Sequence, residues 1–245
     1  MVLNRGASLR LAEPGVGRGV LLTGNPRGGT TFIASVAHHL GIPLGQSRPR
    51  YEDRRLRKLL LGEEPDEDRV KLAETIRARE AAHDLWGWKL PGIVQHFDLV
   101  DSLVRRPLYV MVFKDPLSMS MRRVKRGDAR LVGGLQASVL YTQRMVSFLA
   151  STQRECLLVS FEKAIRKQGD LIRTLAELTG IPVTLERVAE IEAAVRADSL
   201  LYDREKPGGP SAEEQAAARA ARRRRERRAR ARAQAPTTEP AELAL

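Results

Sequence analysis

The sequence predicts an α/β fold, a three-layer sandwich around a central parallel sheet. Short, almost continuously apolar runs occur at residues 19–23, 108–113 and 156–160, and such runs are typical of strands that are buried on both faces. A segment with apolar residues at helical spacing follows each run. Strands that alternate with helices pair in parallel through right-handed crossovers, so one sheet with helices on both faces is expected.

The same patterns predict the other elements in order. A short aromatic strand is predicted over residues 85–90, and residues 63–68 are predicted to form an acidic break between helices. Gly180 is expected to cap the C-terminus of the last predicted helix. Helices are predicted over residues 29–40, 51–61, 70–83, 94–104, 116–125, 135–150 and 170–179.

Length and composition suit one α/β domain with an extension. The chain has 245 residues, of which 42% are hydrophobic, and this is enough for a core of that size. The single cysteine, Cys156, excludes an intramolecular disulfide and is expected to be a buried structural thiol. No H-x-x-x-H, C-x-x-C or carboxylate-rich loop is present, so we expect no metal site.

Targeting signals are not predicted. The N-terminus has no apolar stretch of the kind that a secretory signal needs, and no run approaches the roughly 20 apolar residues that span a bilayer. We therefore expect a cytoplasmic protein without a transmembrane segment, and association with a membrane surface stays open.

The composition changes at a linker, K-P-G-G-P, which divides the chain into a domain, residues 1–206, and a tail, residues 207–245. Residues 211–245 hold nine arginines and five glutamates within a chain of net charge +12. They have helix-forming residues but almost no apolar face, so we expect a disordered or partly helical tail. A solvated tail is favoured, and an anionic partner such as nucleic acid or lipid is the alternative.

The segment L-T-G-N-P-R-G-G-T-T, which ends at Thr31, predicts a site for a phosphate-like anion. It joins the first strand to the first helix, whose N-terminus offers unpaired N–H groups and partial positive charge. Gly28 and Gly29 let the backbone approach an anion closely. Arg27 adds a positive charge, and Thr30 and Thr31 add hydroxyl donors.

This loop differs from the nucleotide-triphosphate pattern G-x-x-x-x-G-K-[ST], in which the lysine reaches the outer phosphates. Gly24 and Gly29 have that spacing, but Thr30 replaces the lysine, and the cation, Arg27, precedes the paired glycines. The order P-[RK]-x-G-T-T resembles the P-loop-like 5′-phosphosulfate loop of sulfotransferases, above all bacterial ones, that use 3′-phosphoadenosine 5′-phosphosulfate (PAPS). A turn that serves only to connect strand and helix is the alternative.

A second junction carries residues for another phosphate. Ligands of open parallel sheets bind beyond the carboxyl ends of the strands, so Lys114 is expected at the same edge as the glycine loop. Lys114, Asp115 and Pro116 resemble the R-[DN]-P motif of the sulfotransferases, with lysine in place of arginine. The resemblance implies that Lys114 binds the 3′-phosphate of the nucleotide. Arg122 stands where the family has a serine and could contact the same phosphate, and Ser118 or Ser120 could supply the hydroxyl.

The segment W-G-W-K-L-P, which begins at Trp86, resembles the short strand on which sulfotransferases carry an active-site lysine. The resemblance implies that Lys89 neutralises charge on the sulfuryl group or on the leaving oxygen. Trp86 and Trp88 are expected in the core, and stacking of one of them on adenine is the alternative. The resemblance covers roughly residues 18–200.

The reaction that the resemblance implies is in-line transfer of a sulfuryl group from PAPS to a hydroxyl or an amine, without a metal. Arg27 and Lys89 would stabilise the sulfuryl oxygens. Glu52 is the first candidate for the general base because its loop reaches the same edge, and Asp53 and His96 follow. Glu52 as an exposed first-turn carboxylate and His96 as an ordinary helix-face residue are the structural alternatives.

Two other functions stay open. One is a small-molecule kinase that uses ATP, against which the missing G-K-[ST] counts. The other is a non-catalytic basic protein that binds nucleic acid or a membrane, which the altered motifs and the arginine-rich tail favour. Neither the acceptor nor the oligomeric state has a signature in the sequence.

Overall fold

A computed structural model describes residues 2–4, 18–45, 50–62, 65–124 and 130–204. Within them, one five-stranded sheet is built from β1 (Val2–Asn4), β2 (Arg18–Gly24), β3 (Leu85–Lys89), β4 (Pro107–Phe113) and β5 (Glu155–Ser160). The strand order is β1-β5-β4-β2-β3. Strands β2 to β5 pair in parallel, as predicted. The antiparallel edge strand β1 was not predicted, since three residues are too few to show a periodic pattern.

Helices connect the strands. A 3₁₀ helix spans Pro91–Gln95, directly after β3. The α-helices of the described residues are α1 (Thr30–His39), α2 (Arg54–Leu60), α3 (Pro65–Ala82), α4 (Phe97–Leu103), α5 (Pro116–Val124), α6 (Leu131–Ser151), α7 (Phe161–Arg166), α8 (Gln168–Thr179) and α9 (Leu185–Arg204).

Two apolar cores, one on each face of the sheet, confirm the predicted three layers. Alternate residues of β2 point to opposite faces. Val20 and Leu22 join the core that α1, α8 and α9 cover. Leu21 joins the core that α2, α3, α4 and α6 cover. Because β2 to β5 run in parallel, their carboxyl ends share one edge of the sheet. The polar residues of the predicted site lie at this edge.

Several elements differ from the prediction. The helix predicted over 51–61 begins at Arg54, because Asp53 caps it by accepting a hydrogen bond from the Leu56 N–H at 3.0 Å. Residues 65–68 of the predicted acidic break form the first turn of α3, where acidic side chains stabilise the helix dipole. The helix predicted over 94–104 is split into the 3₁₀ helix and α4. The long helix α9 was not predicted.

Other predictions are confirmed or lie outside the described residues. Gly180 closes α8 with a left-handed φ of 72°. Cys156 is buried and unpaired, and burial raises the pKa of its thiol to about 12. Among the described helices we find none with the length and apolar character that a membrane crossing requires. The predicted tail, residues 207–245, lies outside the described residues.

Candidate functional site

The loop between β2 and α1 is a tight turn that requires glycine at two positions. Gly29, the N-cap of α1, has a left-handed φ of 96°, and a Cβ there would lie 2.1 Å from the ring of Phe161. At Gly28 the N–H donates to the Asn25 carbonyl oxygen at 2.7 Å, and a Cβ would lie 2.6 Å from that same oxygen. Both glycines are thus fixed by close contacts within the protein.

The first turn of α1 has the features of an anion site. Thr30 and Thr31 open the helix, where backbone N–H groups have no intrahelical acceptor and the dipole is positive. Arg27 has a left-handed φ of 72°, and such strained conformations cluster at functional sites. The buried Thr23 hydroxyl has no hydrogen-bond partner within the described part of the chain and can donate to an anion, whereas the equally unpartnered Oδ1 of Asn25 can only accept. The turn is therefore polar and suited to a bound anion.

Lys89, the last residue of β3, reaches this turn. Its ammonium donates to Glu52 Oε1 at 2.8 Å, to the Arg50 carbonyl oxygen at 3.0 Å and to Thr31 Oγ1 at 3.3 Å. The residue is only 2% exposed. Burial lowers the pKa of the ammonium below its ordinary value, and the Glu52 carboxylate acts in the opposite direction. The structure therefore fixes a desolvated cation beside the N-terminus of α1.

Glu52 lies next to Lys89 in both backbone and side chain. The two residues form an isolated parallel bridge, and the second carboxylate oxygen accepts a hydrogen bond from Arg57 at 3.3 Å. Glu52 precedes α2, so its interpretation as a first-turn carboxylate is wrong. Two cations flank this carboxylate at the sheet edge.

The other two base candidates occupy different environments. Asp53 caps α2 and forms an ion pair with Arg79 of α3, so both of its oxygens are engaged in holding helices. His96 lies between the 3₁₀ helix and α4, where burial, with a smaller effect of Arg144, lowers the pKa of its imidazole. It lines a cavity of about 530 Å³ between the end of α2 and the start of α4.

Lys114 follows β4 and lies at the same sheet edge. Its ammonium is 4.1 Å from the centroid of the Phe161 ring, a cation–π contact. Phe161 opens α7 directly after β5, and its ring also lies against Gly29. One aromatic ring thus contacts both predicted phosphate-binding segments. Phe161 was not predicted as a site residue, although its place just past a strand end was a usable signal.

Three predictions near Lys114 and the tryptophans have different outcomes. The Ser118 hydroxyl donates to Asp115 Oδ2 at 2.7 Å, and the Ser118 N–H donates to the same atom at 2.8 Å. These bonds cap α5 and lower the pKa of Asp115, and the expectation that Ser118 contacts a phosphate stays a prediction. Arg122 lies in α5, but its side chain is outside the described part of the chain. Trp86 and Trp88 are fully buried, which rules out stacking on adenine.

The described residues form an α/β fold with a tight glycine turn at the N-terminus of its first crossover helix. The sulfotransferase domain of the Synechococcus PCC 7002 olefin synthase has a similar fold, with a TM-score of 0.51 and 14% identity over 72% of this chain and 77% of that chain. No family model matches the chain, and no curated protein matches it.

Two further solved structures are less similar. The sulfotransferase domain of the curacin biosynthetic pathway has a TM-score of 0.47 and 14% identity over 71% of this chain and 76% of that chain. A sulfotransferase from Mycobacterium tuberculosis H37Rv has a TM-score of 0.48 and 13% identity over 74% of this chain and 72% of that chain. The likeness to the olefin synthase domain shows that this protein has the sulfotransferase fold.

Proposed function

We propose that this protein is a sulfotransferase that moves a sulfuryl group from PAPS to a hydroxyl or an amine of an acceptor. The observation that carries the proposal is that two segments with cationic side chains, the turn before α1 and the Lys114 junction, both lie against one ring, Phe161. PAPS has a 5′-phosphosulfate and a separate 3′-phosphate, and it therefore needs two anion sites at a fixed separation. A turn that only connects β2 to α1 would not need Lys89 and Lys114 beside it.

The residues divide between the two ends of this nucleotide. Arg27, the Gly28 and Gly29 turn and the first-turn groups of Thr30 and Thr31 suit the phosphosulfate. Lys114 suits the 3′-phosphate, with Arg122 as its proposed second cation on α5. Ser118, whose hydroxyl caps α5, stays a candidate donor to the same phosphate.

The chemistry that this chain would supply is electrostatic. PAPS brings the sulfuryl group; a bond forms from the acceptor oxygen or nitrogen to sulfur as the bond from sulfur to the phosphate oxygen breaks. Lys89 is held where it would stabilise the negative charge that gathers on these oxygens. Glu52 would take the acceptor proton. Protonation of Glu52 would weaken its ion pair with Lys89, and the Lys89 ammonium could then stabilise the departing phosphate.

Calorimetric titration with 3′-phosphoadenosine 5′-phosphate, the product nucleotide, tests the proposal. We expect binding that requires the 3′-phosphate and that is largely lost in Arg27→Ala, because this change removes a cation from the loop. Arg173→Ala, which removes an exposed arginine from a surface ion pair on α8, is the matched control and should bind like the parent protein.

Competing ligands separate the alternatives. Tighter binding of ATP with magnesium than of the 3′,5′-bisphosphate would favour the kinase and contradict the proposal. A chain truncated after residue 206 should keep nucleotide binding. Loss of all anion binding on this truncation, with none dependent on Arg27, would instead favour the non-catalytic basic protein.

A further inference from the structure

Asp198 of α9 is the centre of a buried polar cluster that no sequence pattern predicted. It is 8% exposed. Its Oδ2 accepts hydrogen bonds from the Ser35 hydroxyl at 2.6 Å and from the Tyr51 hydroxyl, and it lies 3.0 Å from His39 Nε2. Ser35 and His39 belong to α1, and Tyr51 precedes α2. One carboxylate oxygen therefore ties three segments of the chain together.

Tyr51 stands between two of the acceptors that hold Lys89. The ammonium bonds the carbonyl of Arg50 and the carboxylate of Glu52, the residues on either side of Tyr51. The Tyr51 backbone has a left-handed φ of 55°, which is unusual for a bulky residue and needs support from its surroundings. Its ring is buried and tilted against His38, with centroids 5.1 Å apart.

The third acceptor of Lys89 is also on an element that Asp198 contacts. Thr31 lies in the first turn of α1, and Ser35 follows it by four residues, about one helical turn. Asp198 thus contacts the helix that carries one acceptor and the segment that carries the other two. Through these two elements Asp198 can influence the position of the Lys89 ammonium.

We propose that Asp198 is a positioning residue, which holds α1 and the Tyr51 segment in the relative placement that keeps Lys89 at the anion-binding turn. The catalytic consequence rests on the function proposed above, in which Lys89 stabilises the transferring group. The positioning is a property of the folded chain and can be measured without any substrate.

The test is the rate of acylation of Lys89 in the full-length protein. This rate is measured by mass spectrometry of peptides after brief treatment with the N-hydroxysuccinimide ester of acetate. The exposed Lys163 is the internal reference. We expect Tyr51→Phe and Asp198→Asn to raise the relative rate at Lys89 roughly three- to tenfold, the range that the loss of one hydrogen bond's net free energy allows. Tyr141→Phe is the matched control, since it also removes a hydroxyl that is hydrogen-bonded, here to Gln95 at 2.9 Å.

The outcomes separate cleanly. Increased acylation in Tyr51→Phe but not in Tyr141→Phe, at similar melting temperatures, supports the proposal. If Asp198→Asn does not fold, Tyr51→Phe and Ser35→Ala decide, since each removes one donor to the same oxygen. Wild-type acylation of Lys89 in both folded variants overturns the proposal. Failure of the parent protein to bind the nucleotide would count against the proposed function alone.

Discussion

Lys89 and Lys114 lie at the ends of strands on either side of β2, yet their surroundings are different. Lys89 is almost completely buried, and three oxygen acceptors lie within 3.3 Å of its ammonium. Lys114 is only partly buried, and its ammonium lies over the face of an aromatic ring. Oxygen acceptors fix the position of the Lys89 ammonium, whereas the partial exposure of Lys114 leaves it accessible to a ligand from solvent.

The difference between the surroundings of Lys89 and Lys114 indicates that the two lysines have different roles. A cation that is fixed and desolvated before a ligand arrives needs little reorganisation, and this is the condition under which electrostatic stabilisation of a transition state is strongest. A partly exposed cation with an adaptable side chain suits ground-state binding of a phosphate. We therefore expect substitutions at Lys89 to lower turnover and substitutions at Lys114 to lower affinity.

The largest effect is expected for Lys89→Met, which keeps the chain length and removes the charge. Turnover should fall by about 10²- to 10³-fold, as for the loss of one preorganised donor, while affinity for 3′-phosphoadenosine 5′-phosphate should fall less, because Lys89 stays paired with Glu52 until the acceptor proton is transferred. Nucleotide release in the presence of PAPS and a screened alcohol or phenol measures the first quantity, and calorimetry measures the second. A large loss of affinity with unchanged turnover would reverse the comparison.

A smaller effect, on stability, is expected when the contact between the loop and Phe161 is broken. Gly29→Ala and Gly41→Ala both place a Cβ at a φ of 96°, but nothing lies within 4 Å of the Cβ at Gly41. Gly41→Ala should lower the free energy of unfolding by about 1–2 kcal/mol through strain alone. Gly29→Ala should lower it by about 1–3 kcal/mol more, because the Phe161 ring must move.

Urea denaturation of both variants measures this difference. Equal losses would mean that Phe161 yields freely and does not hold the two segments in place.

The smallest effect is expected for Lys114→Ala, which should weaken binding of the 3′,5′-bisphosphate by roughly tenfold, the lower end of the range for one charge-assisted contact, because the side chain is partly exposed to solvent. Lys163→Ala, a change at an exposed lysine of α7, is the control for the overall basic charge. Similar losses in both variants would show that net charge, and not a site, attracts the nucleotide.

The sequence predicted the sheet and the loop because their signals are local. Apolar runs indicated β2, β4 and β5, and the glycines and threonines marked the turn before α1. Asp198 and Phe161 were missed because their importance comes from contacts with residues far away in sequence. Tyr51 and Asp198, for example, are separated by 147 positions, and neither stands in a pattern that differs from ordinary helix or loop sequence.

Because a single ring, Phe161, touches both Gly29 and Lys114, occupancy of one proposed anion site would change the wall of the other. The two sites would then have a coupling free energy, which acts equally in both directions. Adenosine 3′-phosphate and adenosine 5′-phosphate would accordingly show binding free energies whose sum, after allowance for the shared adenosine, differs from that of the bisphosphate. In Phe161→Leu this non-additivity should shrink. The variant would then discriminate less between the bisphosphate and two separate monophosphates.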